Sequence, residues 1–436
     1  MCHACQVISH RVNASPGHTR RAHRPVCVIG LGLIGGSLLR DLVASDVPAF
    51  GADAAPEQAA AARADGFDAS GDVTTALQQA DKLGALIVIA VPMGAVESLL
   101  RQIAAACPNC AVIDVVSVKQ PVLDLAWRYG LAARYVGTHP MAGTAFSGWS
   151  AGRAGLFAGA PWVIGFDQVA GLENERSRAA REGEAAGATD AAQAAPCGGG
   201  AAAEAGYAGA RAAEAHTAGA RAAEPAVFLS APEIAAWTSL WAETAALISL
   251  TGARIFPVQA PVHDAAVARI SHLPHILAET LAVTGDRGGA LARSLAAGSF
   301  RDGTRVAGTA PALVRAMCET NAEALVPVLD EVIAELNRAR NELAGTRTDT
   351  DTASEPSVAR LAEAGFAAYR RFPFVERTTS EGPPIAPSDI ERAGSFEHVI
   401  STNAGRTVPI APGENGWVKD LLTAEAAGAC ICLGRG

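Results

Sequence analysis

The chain has 436 residues, half of them hydrophobic, and a formal net charge of −9. This length allows about two or three domains, and the negative charge argues against nucleic-acid binding, which needs clustered Lys and Arg. The apolar run Ala85 to Pro92 is far shorter than the roughly 20 residues of a membrane helix, and the first residues lack the pattern of a secretory signal. Together with nine cysteines, an odd number in a long chain, these features predict a cytoplasmic protein that binds neither nucleic acid nor membrane.

The first predicted strand leads into a glycine-rich turn, Gly30-x-Gly32-x-x-Gly35, and a predicted helix follows the turn. Gly30 permits the tight turn, Gly32 lets the backbone approach a pyrophosphate, and Gly35 lets helix and strand pack closely. Asp53 ends the second predicted strand, at the spacing expected of the acid that binds the adenosine ribose. Since Asp53 would repel a 2′-phosphate, the pattern predicts NAD rather than NADP. The alternative to dinucleotide binding is a glycine turn that binds no ligand.

Short apolar runs alternate with amphipathic segments across residues 25–170, after a tail, residues 1–24, that is expected to be disordered. The predicted strands are 26–30, 47–52, 85–91, 111–116, 134–138 and 161–166. The predicted helices are 34–44, 56–64, 93–106 and 119–129. With the glycine turn, this alternation predicts a Rossmann-type, doubly wound α/β domain that binds a dinucleotide on a mostly parallel sheet.

Residues 171–224 differ in composition, because Ala, Gly, Glu and Arg dominate and large apolar side chains are scarce. The hexamer Gly-Ala-Arg-Ala-Ala-Glu occurs at 209–214 and again at 219–224, a spacing too short for the usual helical repeat units. Such a segment cannot bury enough surface to fold. We therefore predict a flexible low-complexity insertion whose deletion leaves the protein folded and active.

Residues 225–345 are predicted to form an all-α domain for substrate binding and dimerisation, so a homodimer is expected. One helical face combines Trp237, Leu240 and Trp241. A short strand is predicted at 253–258, and the later predicted helices are 261–283, 287–297, 311–317 and 319–343. Residues 346–436 are predicted to be a linker and a C-terminal extension. Within it, a strand at 408–412, a helix at 417–427 and a strand at 429–433 resemble the opening of an amino-acid-binding regulatory domain.

Polar side chains are predicted at the carboxyl ends of two neighbouring strands, Ser117 after one strand and His139 at the end of the next. Ligands of open α/β sheets bind at this edge, so His139 is expected to face the place where a nicotinamide ring could lie. A capping or buried polar role is the alternative for either residue taken alone.

The helical domain contributes two further candidates. His272 and His275 are three residues apart on a predicted helix that Pro274 interrupts. Arg301 and Arg305 lie in a predicted glycine-containing turn, and an arginine fork suits bidentate binding of a carboxylate. A metal bound by the two histidines is the alternative, but no third ligand at a suitable spacing is evident, and no metal is expected.

Five motifs occur in an order that resembles the prephenate dehydrogenase family of tyrosine biosynthesis, including its arogenate-using members. They are Gly30-x-Gly32-x-x-Gly35-Gly36-Ser37, Asp114-Val-Val-Ser117-Val-Lys119, Thr138-His-Pro-Met-Ala-Gly143, Ser271-His-Leu-Pro-His275 and Phe300-Arg-Asp-Gly-Thr-Arg305. The resemblance covers about 25–167 and 225–343. The insertion, the tail beyond 346 and Ala145, where many members carry a glutamate, are departures; the last puts an acidic gate at the site in doubt.

The resemblance implies an NAD-dependent oxidative decarboxylation of prephenate to 4-hydroxyphenylpyruvate. It implies that His139 withdraws the proton of the substrate's C4 hydroxyl, that Ser117 orients this hydroxyl and the nicotinamide, and that Arg305 binds a carboxylate. The remaining candidates are His272 and Thr144 for the substrate and Gly30, Gly32, Leu33, Ile34, Gly35, Asp53, Val91 and Pro92 for the cofactor.

Three alternatives stay open. An arogenate dehydrogenase would differ only in taking an amine in place of the side-chain ketone. A dehydrogenase of a small 3-hydroxy acid usually relies on a lysine in its helical domain, and this chain has none between Lys119 and Lys419. A nucleotide-sensing protein would bind the cofactor without turnover.

Overall fold

A computed structural model describes residues 24–143, 146–171, 229–344, 357–372, 399–401, 407–408, 410–413 and 416–432. Apart from Gly171, the predicted insertion 171–224 lies outside these ranges, and so do Thr144 and Ala145.

The first sheet has six parallel strands in the order β3-β2-β1-β4-β5-β6. The strands are β1 Val26–Ile29, β2 Ala49–Ala52, β3 Ala69–Ser70, β4 Leu86–Ile89, β5 Ala111–Asp114 and β6 Tyr135–Val136. Its helices are Leu33–Ala44, Pro56–Ala64, Val73–Leu83, Met93–Ala106 and Gln120–Arg128. Strands β1 and β4 are apolar, as is β5 up to its last residue, Asp114, which fits a parallel sheet with helices on both faces. The predicted doubly wound domain is confirmed.

Sequence reasoning missed β3 and the helix Val73–Leu83. This helix buries Ala76, Leu77 and Ala80 on one face, and only one of these side chains is large. Its ends nevertheless carry recognisable signals. The Asp72 side chain accepts a hydrogen bond from the amide of Thr74 at 2.9 Å, and Gly84 ends the helix in the left-handed conformation.

A second sheet has the order β11-β10-β12-β9-β8-β7. Its strands are β7 Thr138–Pro140, β8 Pro161–Ile164, β9 Arg254–Pro257, β10 Val399–Ser401, β11 Thr407–Val408 and β12 Cys430–Cys432. The chain leaves the first sheet at Gly137, so the strand predicted over 134–138 is divided between the two sheets. The strand predicted over 161–166 also belongs to the second sheet, where β8 pairs antiparallel with β7 and parallel with β9.

The second half of the described chain is mainly helical, as predicted. Its helices are Ala231–Leu250, Ala260–Val267, Leu273–Asp286, Gly289–Leu295, Gly298–Thr304, Pro311–Thr320, Ala322–Leu343, Ala359–Tyr369 and Trp417–Ala427. The helix predicted over 261–283, with an interruption at Pro274, is divided in the structure, where a π-helical turn, Ala268–His272, lies between two helices just before Pro274. The glycine-containing turn predicted at 298–305 is wrong, since Gly298–Thr304 is helical and a 3₁₀ turn begins at Arg305.

The helix Ala231–Leu250 packs on both sheets and joins them into a common core. The indole N–H groups of Trp237 and Trp241, both fully buried, donate to the carbonyls of Tyr135 and Gly165 at 2.8 and 2.9 Å. The C-terminal segment packs on the same helix, with the Trp417 ring 5.7 Å from that of Trp241. No helix within the described ranges is long and apolar enough to span a membrane.

Candidate active site

The glycine turn after β1 has the shape of a phosphate cradle. Gly30 has a φ of +102°, and a Cβ atom there would overlap the carbonyl of Ala90. A Cβ atom at Gly35 would overlap the carbonyl of Gly30, whereas Gly32 faces open space. Gly32 precedes Leu33 and Ile34, the first helical residues, and no side chain caps their free N–H groups. These residues therefore fit a dinucleotide pyrophosphate.

Asp53, which directly follows β2, is hydrogen-bonded to the same turn. Its carboxylate accepts the amide of Leu31 at 2.7 Å and the amide of Ala55 at 2.8 Å. Each oxygen keeps a further lone pair, so a ribose hydroxyl could still donate to it. Val91 and Pro92 follow β4, the strand beside β1, and complete this edge of the sheet.

His139 lies within β7, near the carboxyl end of β5. The hydroxyl of Thr138 donates to the main-chain carbonyl of Asp114, the last residue of β5, at 2.5 Å. This bond holds β7 at the carboxyl edge of the first sheet. Ser117, which comes shortly after β5, lies at the same edge. Ser117 is half-buried, and its hydroxyl makes no hydrogen bond to any residue that the structure describes. The structure thus places both predicted residues at one edge, although His139 belongs to the second sheet.

His139 is the first member of a hydrogen-bonded chain that ends at a carboxylate. Its Nδ1 lies 2.9 Å from Nε2 of His263, and Nδ1 of His263 lies 2.7 Å from Oδ1 of Asp264. The two carboxylate oxygens of Asp264 also accept the amides of Lys119 and Gln120, each at 2.8 Å. Those amides begin the helix Gln120–Arg128, whose N-terminus favours a negative charge.

His272 joins the same cluster from the π-helical turn. Its side chain is buried, and its Nδ1 lies 3.0 Å from the amide nitrogen of Asn321. This nitrogen also donates to the main-chain carbonyl of Asp264 at 2.8 Å. Sequence reasoning selected His272 but assigned no role to Asn321, His263 or Asp264. The adjacent His-Asp pair at a helix start was the available signal.

Lys119 and Asp114 form a buried ion pair close to the histidines. The ammonium of Lys119 contacts the carboxylate of Asp114, which also accepts from the hydroxyl of Tyr135 and, at 2.8 Å, from the amide of Val116. The pair is almost completely buried. It fixes a positive charge close to His139 and His263.

The environment keeps these histidines neutral. Burial lowers the pKa of His139 well below 6.5, and the nearby His263 and Lys119 lower it further. Burial likewise lowers the pKa of His263, although Asp264 opposes the shift, and lowers the pKa of His272 to about 4. The pKa of Asp264 is below its usual value, because hydrogen bonds from His263 and two amides outweigh the effect of its burial.

Arg305 is exposed, at the start of the turn Arg305–Gly308, which packs on the helix Leu273–Asp286. It lies close enough to His275 to lower the pKa of that histidine, whose burial has the larger effect in the same direction. No hydrogen bond or ion pair among the described residues joins Arg305 to His139 or His272. Thr144 lies outside the described residues.

Comparison with known proteins shows which proteins this chain is similar to. The family model for the nucleotide-binding domain of prephenate dehydrogenase matches residues 39–174, and the model for the dimerization domain of prephenate dehydrogenase matches residues 259–361. A cyclohexadienyl dehydrogenase of Zymomonas mobilis is 29% identical over 346 residues, which cover 77% of this chain and 95% of that protein.

Two solved structures of named prephenate dehydrogenases are also similar to this chain. The crystal structure of a Corynebacterium glutamicum protein, provisionally named a prephenate dehydrogenase, is 39% identical, covers 93% of this chain and 98% of its own, and superposes with a TM-score of 0.66. An Aquifex aeolicus prephenate dehydrogenase, in complex with hydroxyphenyl propionate and NAD+, shares the fold at 17% identity, a TM-score of 0.53 and coverage of 81% and 96%. The chain described here belongs to the prephenate dehydrogenase family.

Proposed function

We propose that this protein is an NAD-dependent prephenate dehydrogenase, which converts prephenate to 4-hydroxyphenylpyruvate and CO2. The observation that carries this proposal is the neutral, hydrogen-bonded His139 at the sheet edge that also presents the glycine cradle. A base beside a dinucleotide site is the arrangement that oxidation of an alcohol carbon requires.

The chemistry divides between the cofactor and the chain. Gly30 to Gly35 and Asp53 would hold NAD, whose nicotinamide ring would supply the acceptor for the hydride from ring C4. His139 accepts the hydrogen bond of the C4 hydroxyl and takes its proton as the C4–O bond becomes a carbonyl. The bond from C1 to the ring carboxylate then breaks, CO2 leaves, and the electron pair makes the ring aromatic.

The proton balance of this reaction is closed. Prephenate and NAD+ give 4-hydroxyphenylpyruvate, CO2 and NADH, so no net proton is released. The phenolate oxygen formed on loss of CO2 must therefore recover a proton, and we assign protonated His139 as the donor. The same imidazole acts first as base and then as acid.

Substrate placement is assigned to four residues. Ser117 orients the C4 hydroxyl, and His272 and Thr144 bind polar groups of the substrate. Arg305 pairs with a substrate carboxylate, for which a guanidinium fork is well suited. We further propose that the protein acts as a homodimer in the cytoplasm, without a nucleic-acid or membrane partner.

The test is a spectrophotometric assay of NADH formation by the purified full-length chain. Prephenate and arogenate are each offered with NAD and with NADP. We expect turnover of prephenate with NAD and a much lower kcat/KM with NADP, because Asp53 would repel the 2′-phosphate. No turnover of either substrate would overturn the proposed function, and equal use of NADP would overturn the role of Asp53.

Arogenate is the second candidate substrate, because a cyclohexadienyl dehydrogenase is among the relatives. Arogenate differs from prephenate in carrying an amine instead of the side-chain ketone, far from the atoms that His139 touches. A higher kcat/KM for arogenate than for prephenate would reassign the substrate and leave the mechanism unchanged.

A further inference from the structure

We propose that Asp264 sets the tautomers of two site histidines, making His139 a proton acceptor and His272 a hydrogen-bond donor towards the substrate. His263 and Asn321 are the positioning residues through which it acts. The inference rests on the proposed function only for the role given to His139, because the tautomers themselves follow from hydrogen-bond geometry.

The carboxylate of Asp264 determines one branch. Its oxygens accept two backbone amides, which can only donate, and its pKa is lowered, so the group is ionised and acts only as an acceptor. The Nδ1 of His263, 2.7 Å away, must therefore carry hydrogen. Because the pKa of His263 is lowered, its ring is neutral and its Nε2 holds a lone pair.

That lone pair fixes His139. Nε2 of His263 lies 2.9 Å from Nδ1 of His139, so Nδ1 of His139 must be the donor. The ring of His139 is also neutral, and its Nε2 is consequently free of hydrogen and able to accept the substrate proton. This tautomer is the minor one for histidine in water, and the chain to Asp264 is what makes it the ground state.

The main-chain carbonyl of Asp264 determines the other branch. A carbonyl only accepts, so the atom of Asn321 that lies 2.8 Å from it must be the amide nitrogen. The same nitrogen lies 3.0 Å from Nδ1 of His272, which must therefore accept. Neutral His272 then carries its hydrogen on Nε2, as a donor for a substrate carboxylate or carbonyl oxygen.

Opposite tautomers in one cluster suit the reaction. The substrate hydroxyl needs an acceptor while hydride leaves, and substrate oxygens that carry negative charge need donors. The chain from His139 ends at a buried, ionised carboxylate that is bonded only within the protein. A proton taken by His139 is thus retained near the site and returned to the product oxygen, as the closed proton balance requires.

The direct test is nitrogen NMR of the full-length enzyme labelled with ring-¹⁵N histidine, without substrate or cofactor. The chain has ten histidines, so signals are assigned by difference with His139→Asn, His263→Gln and His272→Asn. We expect His139 and His263 to be protonated on Nδ1 and His272 on Nε2. Protonation of His139 on Nε2 in the unaltered enzyme would overturn the proposal, whatever the enzyme's activity.

A matched pair of variants tests the consequence for catalysis. His263→Gln retains an oxygen that can accept from Nδ1 of His139, whereas His263→Leu has a similar volume and no acceptor. We expect His263→Leu to lower kcat by about 10²-fold or more, as for a misdirected general base, with KM for NAD unchanged, and His263→Gln to recover most of it. Thr244→Val removes a buried hydrogen bond away from the site and should leave kcat intact.

The outcomes separate the two proposals. Equal kcat values for the Gln and Leu variants, both folded, would remove His263 from the positioning role. Absence of prephenate turnover in the unaltered enzyme would instead overturn the proposed function, while the NMR signals would still report the tautomers. A loss of kcat that follows the melting temperature across all three variants, Thr244→Val included, would show a merely structural effect.

Discussion

At the scale of the residue, the surroundings of His139 keep it ready to act as a base near neutral pH. Burial and the fixed charge of Lys119 both disfavour the imidazolium form before reaction. The same shift makes the proton easy to return, because a base with a low pKa holds its proton weakly. The site therefore favours positioning over basicity, which suits a reaction driven by formation of an aromatic ring.

The pH dependence of kcat/KM should show this directly. A general base loses activity as the pH falls through its pKa, and the pKa of His139 in the folded protein lies well below 6.5. We therefore expect kcat/KM for prephenate to stay level as the pH falls through 6.5 and to decline only at lower pH. Rates are measured in buffers of constant ionic strength, with NAD saturating.

His139→Asn is the control for that profile. It should lower kcat by about 10²–10⁴-fold and abolish the acidic limb, with a much smaller change in KM. An acidic limb centred at or above pH 6.5 in the unaltered enzyme would contradict the environment described for His139.

At the scale of the element, two distant carboxylates hold the helix Ala260–Val267, which carries His263 and Asp264. Asp167 accepts the amide of Ala260 at 2.8 Å, and burial raises the pKa of Asp167 to about 6. Glu425, on the C-terminal helix Trp417–Ala427, accepts the amide and the side-chain nitrogen of Gln259, at 2.5 and 2.7 Å. The predicted C-terminal extension thus reaches the start of the helix that positions the base.

Replacing Glu425 should therefore affect both stability and catalysis. Glu425→Ala leaves the Gln259 amide without its acceptor, at a cost of about 1–3 kcal/mol in the free energy of unfolding. We expect a lower melting temperature and a several-fold lower kcat, with KM for NAD unchanged. Glu319→Ala is the matched control, because its partner Arg315 is exposed and such a pair contributes little. Equal effects of the two variants would contradict the positioning role of the C-terminal helix.

The same elements show what sequence could and could not predict. The glycine turn was predictable because its pattern is local, from the strand Val26–Ile29 through the turn to the following helix. The His139–His263 contact joins residues 124 positions apart, and β12 pairs Ile431 with Ile255. No periodicity encodes contacts over such distances, since they depend on how the second sheet folds back. The π-helical turn that buries His272 was likewise not predicted, because Pro274 indicates an interruption of the helix but not that the interruption is a π-helical turn.

At the scale of the whole molecule, the helices between Leu273 and Leu343 carry many large apolar side chains that no other described residue covers. Leu291 and Leu295 are each 71% exposed, and Ile333 and Leu336 are 54% and 57% exposed. Other exposed apolar side chains on these helices are Leu277, Leu281, Val283, Leu313, Val326 and Leu343. Exposed apolar surface of this extent marks an interaction site. The match of residues 259–361 to the model of a dimerization domain supports our proposal that the partner is a second copy.

We therefore expect light scattering during size-exclusion chromatography to give twice the chain mass of 44.4 kDa. Ile333→Glu places a charge on the helix Ala322–Leu343 and should shift the protein towards the monomer, because burying an unpaired carboxylate at an interface is costly. Val43→Glu is the matched control, since Val43 is 44% exposed on a helix of the first sheet and should leave the dimer intact. A monomeric unaltered protein, or equal dissociation by both variants, would show that this apolar face is not the dimer interface.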